Sequence, residues 1–174
     1  MGRPAGHVDP GRARGAGTLI VRPSGREEAE THFAIQRDAC VAAFAHVFPP
    51  EVYPFPDDPV RERWRAFGGS MLVAERDGRV IGIAAFEACW LGGFYVVPDE
   101  WGSGVAGELH DAALEAMQGC PEIRLWTLEE NHRARRFYEK RGWRLDGSTR
   151  VVPYPPHPLD VGYTIELGRV ASGG

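Results

Sequence analysis

This chain is predicted to fold as an α/β domain of the α+β type, on three observations. Seven short β-like runs are separated by turn signals, four segments carry helical periodicity, and a strand–glycine turn–helix unit sits near the centre. The order is β-α-α-β-β-β-α-β-α-β-β, without an internal repeat. A length of 174 residues fits one domain, and 43% hydrophobic residues suffice for a core. Residues 18–168 form the predicted domain. Residues 1–17 are rich in Gly, Pro, Ala and Arg and lack an apolar core, so they read as a disordered tail rather than a signal peptide; 169–174 form a C-terminal tail.

Charge and cysteines exclude several classes. Net charge is −4, and the tail holds Arg3, Arg12 and Arg14 against Asp9, so the remainder carries −6. An acidic body argues against nucleic-acid binding, which needs a basic footprint. No apolar run approaches the ~18 residues of a membrane span, so no membrane partner is expected. Cys40, Cys89 and Cys120 are odd in number and have no metal-ligand spacing. They predict a reduced, cytoplasmic protein with no metal.

The elements follow in order. Thr18–Arg22 reads as a strand closed by Pro23-Ser24-Gly25. Ser24 and Glu27 have capping-box spacing before a helix in which Phe33, Cys40, Phe44 and Val47 recur, with Pro49-Pro50 as its stop. Five prolines in 49–59 predict a loop, and Val60, Trp64 and Phe67 a short helix face. Two β-like runs flank Asp77-Gly78, a hairpin signal because both turn residues must accept positive φ. A third run, Trp90–Val97, contains Gly92-Gly93, and interior strand glycines often mark bulges. Further on come a helix carrying Val105, Leu109 and Ala113, a strand over 123–128, a helix over 131–141, and two strands over 143–150 and 161–167.

The chemistry concentrates in residues 94–114. A strand runs into Trp101-Gly102-Ser103-Gly104 and then a helix whose first turn is read as free of acids. Successive N–H groups at such a turn converge on one point, and the helix dipole adds positive potential, which suits a pyrophosphate. An ordinary turn and cap is the bland alternative. Gly102, Gly104 and Gly107 also spell G-x-G-x-x-G, the fingerprint of a dinucleotide-dependent oxidoreductase. Against it, four residues separate the strand from the glycines, and the strands before it form a meander rather than βαβ units.

Two motifs together resemble the GNAT superfamily of acetyl-CoA-dependent N-acetyltransferases. Phe94-Tyr95-Val96-Val97-Pro98 matches its hydrophobic-aromatic-Val-x-Pro strand end. Trp101-Gly102-Ser103-Gly104-Val105-Ala106 matches its Q/R-x-x-G-x-G/A loop, with Trp101 in place of Gln or Arg. Asn131, Ala134, Tyr138, Gly142 and Trp143 match its N-x-x-A-x-x-x-Y-x-x-x-G-F segment, with Trp for Phe. Read alone, Asn131 is also a good helix cap and Tyr138 a core aromatic.

The resemblance implies a single GNAT-like domain with a mixed, mostly antiparallel, V-shaped sheet flanked by about four helices. Acetyl-CoA is the co-substrate and lies between the third meander strand and the 123–128 strand. Phe94, Tyr95, Val96, the 101–106 loop, Asn131 and Ala134 hold it. An amine attacks the thioester through a tetrahedral intermediate stabilised at the Val96 N–H, and Tyr138 protonates the leaving thiolate. Glu87 is the candidate base from its place at the hairpin before the cofactor strand, with Glu130 and His46 as rivals. Phe44, His46, Phe48 and Tyr53 fall in the stretch that faces the acceptor in this family, a small-molecule or peptide amine. A homodimer is compatible with this reading, and a CoA-binding module without catalysis is its alternative.

Overall fold

A computed structural model describes residues 17–168; the predicted tails, 1–17 and 169–174, lie outside that range except for Gly17. The strands are β1 (Leu19–Ser24), β2 (Ser70–Arg76), β3 (Arg79–Glu87), β4 (Trp90–Val96), β5 (Glu122–Leu128), β6 (Arg144–Val151) and β7 (Leu159–Glu166). The helices are α1 (Ala29–Phe44), α2 (Asp57–Ala66), α3 (Val105–Ala116) and α4 (His132–Lys140). The strands make one sheet in the order β1-β2-β3-β4-β5-β7-β6. Every neighbouring pair is antiparallel except β4 and β5.

That parallel pair sets the shape of the molecule. β4 and β5 meet at one register position, Trp90 opposite Arg124, reinforced by the Arg124 N–H to the Cys89 carbonyl at 3.0 Å. Beyond it the strands part, which gives the V expected from the resemblance. Trp90 and Trp126 stack at 6.1 Å near the closed end. The bulge falls where the glycines predicted it. Ala85 and Phe86 of β3 oppose Gly93 and Leu91, so Gly92 is the extra residue of β4.

The β2–β3 hairpin also follows its sequence, with Asp77 at φ 53° and Gly78 at φ 74°. Successive residues of a strand face opposite ways. Phe94 packs on His110 of α3 and Phe137 of α4, whereas Tyr95 packs on Trp64 of α2. The helices therefore cover the sheet as two pairs, α3–α4 on one face and α1–α2 on the other. Val105, Leu109 and Ala113 of α3 are fully buried in the core, with Leu109 lying over Gly82 of β3 beside Val96 of β4. Burying Val105 and Leu109 stabilises the fold by about 1.5–3 kcal/mol each.

Several local expectations are corrected. Ser24 and Glu27 make no capping box. The Ser24 hydroxyl instead donates to Glu28 and lies 2.8 Å from His32 Nε2, and Gly25 precedes a 3-10 turn without a side-chain cap. Arg22 explains the choice: it grips Glu28 through two nitrogens at 2.8 Å and reaches Glu75 at 2.9 Å. Those contacts hold the Glu28 carboxyl at about 2. α1 ends at Phe44, short of the prolines, because the Val47 and Phe48 N–H groups both turn back to the Phe44 carbonyl. α2 starts at Asp57, inside the segment read as loop, since Pro59 in its first turn has no N–H to lose there. The first turn of α3 does contain an acid, Glu108, which is exposed.

The cysteine reading is overturned as well. Cys89 and Cys120 form a disulfide, with Cα atoms 5.6 Å apart, and Cys40 alone is free. Their 31-residue separation carries no signal in sequence; the hairpin end before β4 and the loop before β5 bring them together. The argument for a reducing compartment is thereby removed. No helix among the described residues is long and apolar enough to cross a membrane.

Candidate active site

The parted strands leave β4 with a free edge. The Val97 N–H donates to the Ile81 carbonyl of β3 at 3.0 Å. Backbone groups alternate sides along a strand, so those of Val96 and Phe94 point away from β3, into the gap. The Val96 carbonyl confirms this direction, since it accepts the Trp101 indole N–H at 2.8 Å. The Val96 N–H faces the same way.

The glycine turn lies at the open end of the V. Gly102 and Gly104 take φ of 82° and 94°, which side-chain-bearing residues rarely adopt, and Gly104 stands directly before α3. The Ser103 N–H is occupied, donating to the Glu100 carbonyl at 3.2 Å. Among the described residues the N–H groups of Gly102, Gly104, Val105 and Ala106 have no partner. The Val105 side chain is core, so only its N–H can serve a ligand. Beside the turn runs an open groove of about 760 Å³, lined among others by Gly102, Gly104, Gly107, Lys140 and Arg141. Arg133 adds a third cation, its guanidinium 4.2 Å from the centre of the Trp101 ring. Four unpartnered donors at a helix N-terminus, beside Lys140, Arg133 and an Arg141 that also pairs with Asp111 at 2.6 Å, can accommodate a phosphate-rich anion.

Tyr138 projects from α4 and is buried among Phe94, Phe137, Trp143 and Tyr163, with ring centroids 5.5–6.3 Å away. Burial, then the neighbouring Tyr95, raise its phenol well above the usual range, so it stays protonated. Asn131 caps α4: its side-chain oxygen accepts the Ala134 N–H at 3.2 Å. Asn131 and Ala134, two of the motif's residues, thus spend these groups on each other, and among the described residues the Asn131 amide nitrogen has no partner.

The predicted acceptor residues are only partly assembled. Phe44, Phe48 and Tyr53 form an edge-to-face chain at 6.5 and 6.4 Å. His46 is exposed and reaches the Glu130 carbonyl at 3.2 Å, so two candidate bases sit side by side. Glu87 is exposed at the end of β3, opposite Trp90 at the closed end of the V.

Sequence reasoning missed a cluster on the α1–α2 face. Trp64 and Arg63 both donate to the buried Gln36 carboxamide at 2.8 Å. The Tyr95 phenol, raised chiefly by burial, senses Cys40, Arg63 and Tyr154. Burial also pushes the Cys40 thiol up to about 12. These residues come from α1, α2, β4 and the β6–β7 loop, so no spacing could have grouped them.

Residues 16–143 match the model of the acetyltransferase (GNAT) family. The chain belongs to the GNAT family. A probable N-acetyltransferase of Mycobacterium tuberculosis is 34% identical over 89 residues, 47% of this GNAT chain and 51% of the relative. An uncharacterized N-acetyltransferase of Mycobacterium bovis is 30% identical over 86 residues, 45% and 55% of the two chains. The chain thus spans about half the length of the curated relatives it matches. The GNAT fold recurs in the PaiA N-acetyltransferase of Thermoplasma acidophilum, solved with coenzyme A (TM-score 0.67, 20% identity, 86% of this chain and 99% of that one). A putative acetyltransferase of Salmonella typhimurium, solved with acetyl-CoA, has a TM-score of 0.65 at 16% identity, covering 90% and 98%.

Proposed function

We propose that this GNAT protein transfers an acetyl group from acetyl-CoA to the primary amine of a small molecule or peptide. The observation that carries the reading is the unpartnered row of N–H groups at Gly102, Gly104, Val105 and Ala106, set at the mouth of the β4–β5 gap. When bound, acetyl-CoA supplies an acetyl group already activated as a thioester. The four amides, with Lys140 and Arg141 alongside, hold its pyrophosphate; the Asn131 amide nitrogen and the free edge at Phe94 and Val96 orient the rest. Trp101 and Ser103 shape the turn through their bonds to Val96 and Glu100.

The Val96 N–H donates to the carbonyl oxygen as it gains charge, a contact that strengthens as the reaction proceeds. Tyr138 keeps its proton at neutral pH and gives it to the departing sulfur. Glu87 takes the amine's proton through solvent, since it is exposed; His46 and Glu130 are the competing bases. Calorimetry with acetyl-CoA and a thiol-release assay over an amine panel test the reading. Binding with amine-dependent thiol release is the expected result. Binding without release from any amine would favour a CoA-binding module, and no CoA binding would end the proposal.

A further inference from the structure

Helix α2 carries three arginines with different surroundings. Arg61 pairs with Glu30 at 3.0 Å and Asp58 at 3.1 Å, and Arg65 with Glu30 at 2.8 Å and Glu62 at 2.5 Å. Arg63 makes no ion pair among the described residues. The helix explains the split: 61 and 65 are one turn apart on one face, and 63 is rotated by about 200° from 61. Its guanidinium is held instead by a neutral acceptor, the Gln36 oxygen, which also fixes the Trp64 indole. A carboxamide positions the cation without neutralising it.

The groups around Arg63 do not neutralise it either. Arg63 itself is exposed, and the nearby Tyr95 and Cys40 are both kept in their protonated, uncharged forms by burial. Tyr95, the residue before Val96 on β4, packs on Trp64 at 6.5 Å, and Trp64 shares the Gln36 oxygen with Arg63, which puts Arg63 on the side of β4 next to the proposed transfer point. A planar fork of donors, pre-oriented and lacking a counter-charge, matches a carboxylate in two-point contact.

We propose that Arg63 is the specificity residue of the acceptor site, and that the acceptor is an amine that also carries a carboxylate. The inference rests on the acetyl-transfer reading above for the identity of the site. Matched probes test it: phenylalanine against phenethylamine, and 4-aminobutyrate against propylamine, in wild type, Arg63→Gln and Arg63→Lys. In thiol release, wild type should favour the carboxylated member by about tenfold or more in kcat/KM, the effect of a charge-assisted contact. Arg63→Gln should bring the ratio to near unity, and Arg63→Lys should restore part of it. An unchanged ratio in Arg63→Gln, or wild-type preference for the plain amine, overturns the proposal. Calorimetry of the same probes in the presence of CoA separates this failure from failure of acetyl transfer. If no amine is acetylated, the anion site still stands when a carboxylated probe binds wild type and not Arg63→Gln. It falls when such probes bind both alike or neither.

Discussion

The two faces of the split sheet recognise their ligands by different means. On the α3–α4 face the proposed binding groups are chiefly backbone amides, held by a helix whose Val105, Leu109 and Ala113 are wholly buried. Cutting Leu109 to Ala would cost about 2–5 kcal/mol, so that face cannot change without harming the fold. On the α1–α2 face the groups are side chains, and the pairs made by Arg61 and Arg65 are substantially exposed. Exposed pairs add little to stability because water screens them, so residues there can vary at little cost. A common cofactor and a variable acceptor call for this division.

The largest expected effect tests the junction of the two faces. Tyr138→Phe keeps the ring packing and removes the proton, so kcat should fall by roughly 10²–10⁴-fold with little change in KM for acetyl-CoA. Since burial raises the phenol above its usual ~10, the basic limb of the wild-type profile should lie above that value if Tyr138 governs it. Steady-state kinetics within twofold of wild type would make the hydroxyl incidental.

The disulfide ties together the two strands at the closed end, so its removal acts on both faces at once. The double variant Cys89→Ser, Cys120→Ser should lose about 3–4 kcal/mol of stability for a loop of this length. Urea denaturation that placed it within 1 kcal/mol of wild type, less than that loop-entropy range, would show that packing alone closes the V.

Within the cofactor face, backbone and side chain can be separated. Gly104→Val blocks the amide row and forces a branched residue to φ near 94°. CoA affinity should fall by more than about a hundredfold, or ~2.7 kcal/mol, with about 1–3 kcal/mol of strain in stability. Trp101→Arg leaves the amides in place, so calorimetry should find its Kd within about tenfold of wild type. A larger loss would assign binding energy to the Val96 bond and the Arg133 stack.

The smallest effect is on acid stability. His32 and His110 are both shifted down, chiefly by burial, one under each helical face. A Trp143 indole N–H donates to His110 Nε2 at 2.9 Å, which fixes the neutral tautomer with its proton on Nδ1, 3.0 Å from Asp111. The unfolded chain binds protons that these sites refuse. Their contribution is therefore fully present above about pH 6.5 and lost as pH falls through the folded values, at up to about 1.4 kcal/mol per pH unit for each. Glu28 and the other lowered carboxylates act only below their unfolded value of about 4.5. A urea midpoint that stays flat between pH 7 and 5 would contradict the histidine assignment.

The sequence by itself determined whatever is encoded within a few neighbouring residues. Asp77-Gly78 specified its hairpin, Gly92 its bulge, and Gly102 and Gly104 their turn, because each depends on local φ and ψ or on the absence of a side chain. The Tyr138 motif was legible for the same reason, as positions on one helix face. Tertiary structure alone decided the rest. Arg22 chose Glu28 over Glu27 by lying across from it on β1, and Cys89 met Cys120 where two loops converge. Gln36, Arg63 and Tyr95 came together from three elements, and Arg63 stayed uncompensated because its neighbours there are neutral. Such contacts depend on which faces pack together, and that is settled by burial of the whole core rather than by any local spacing.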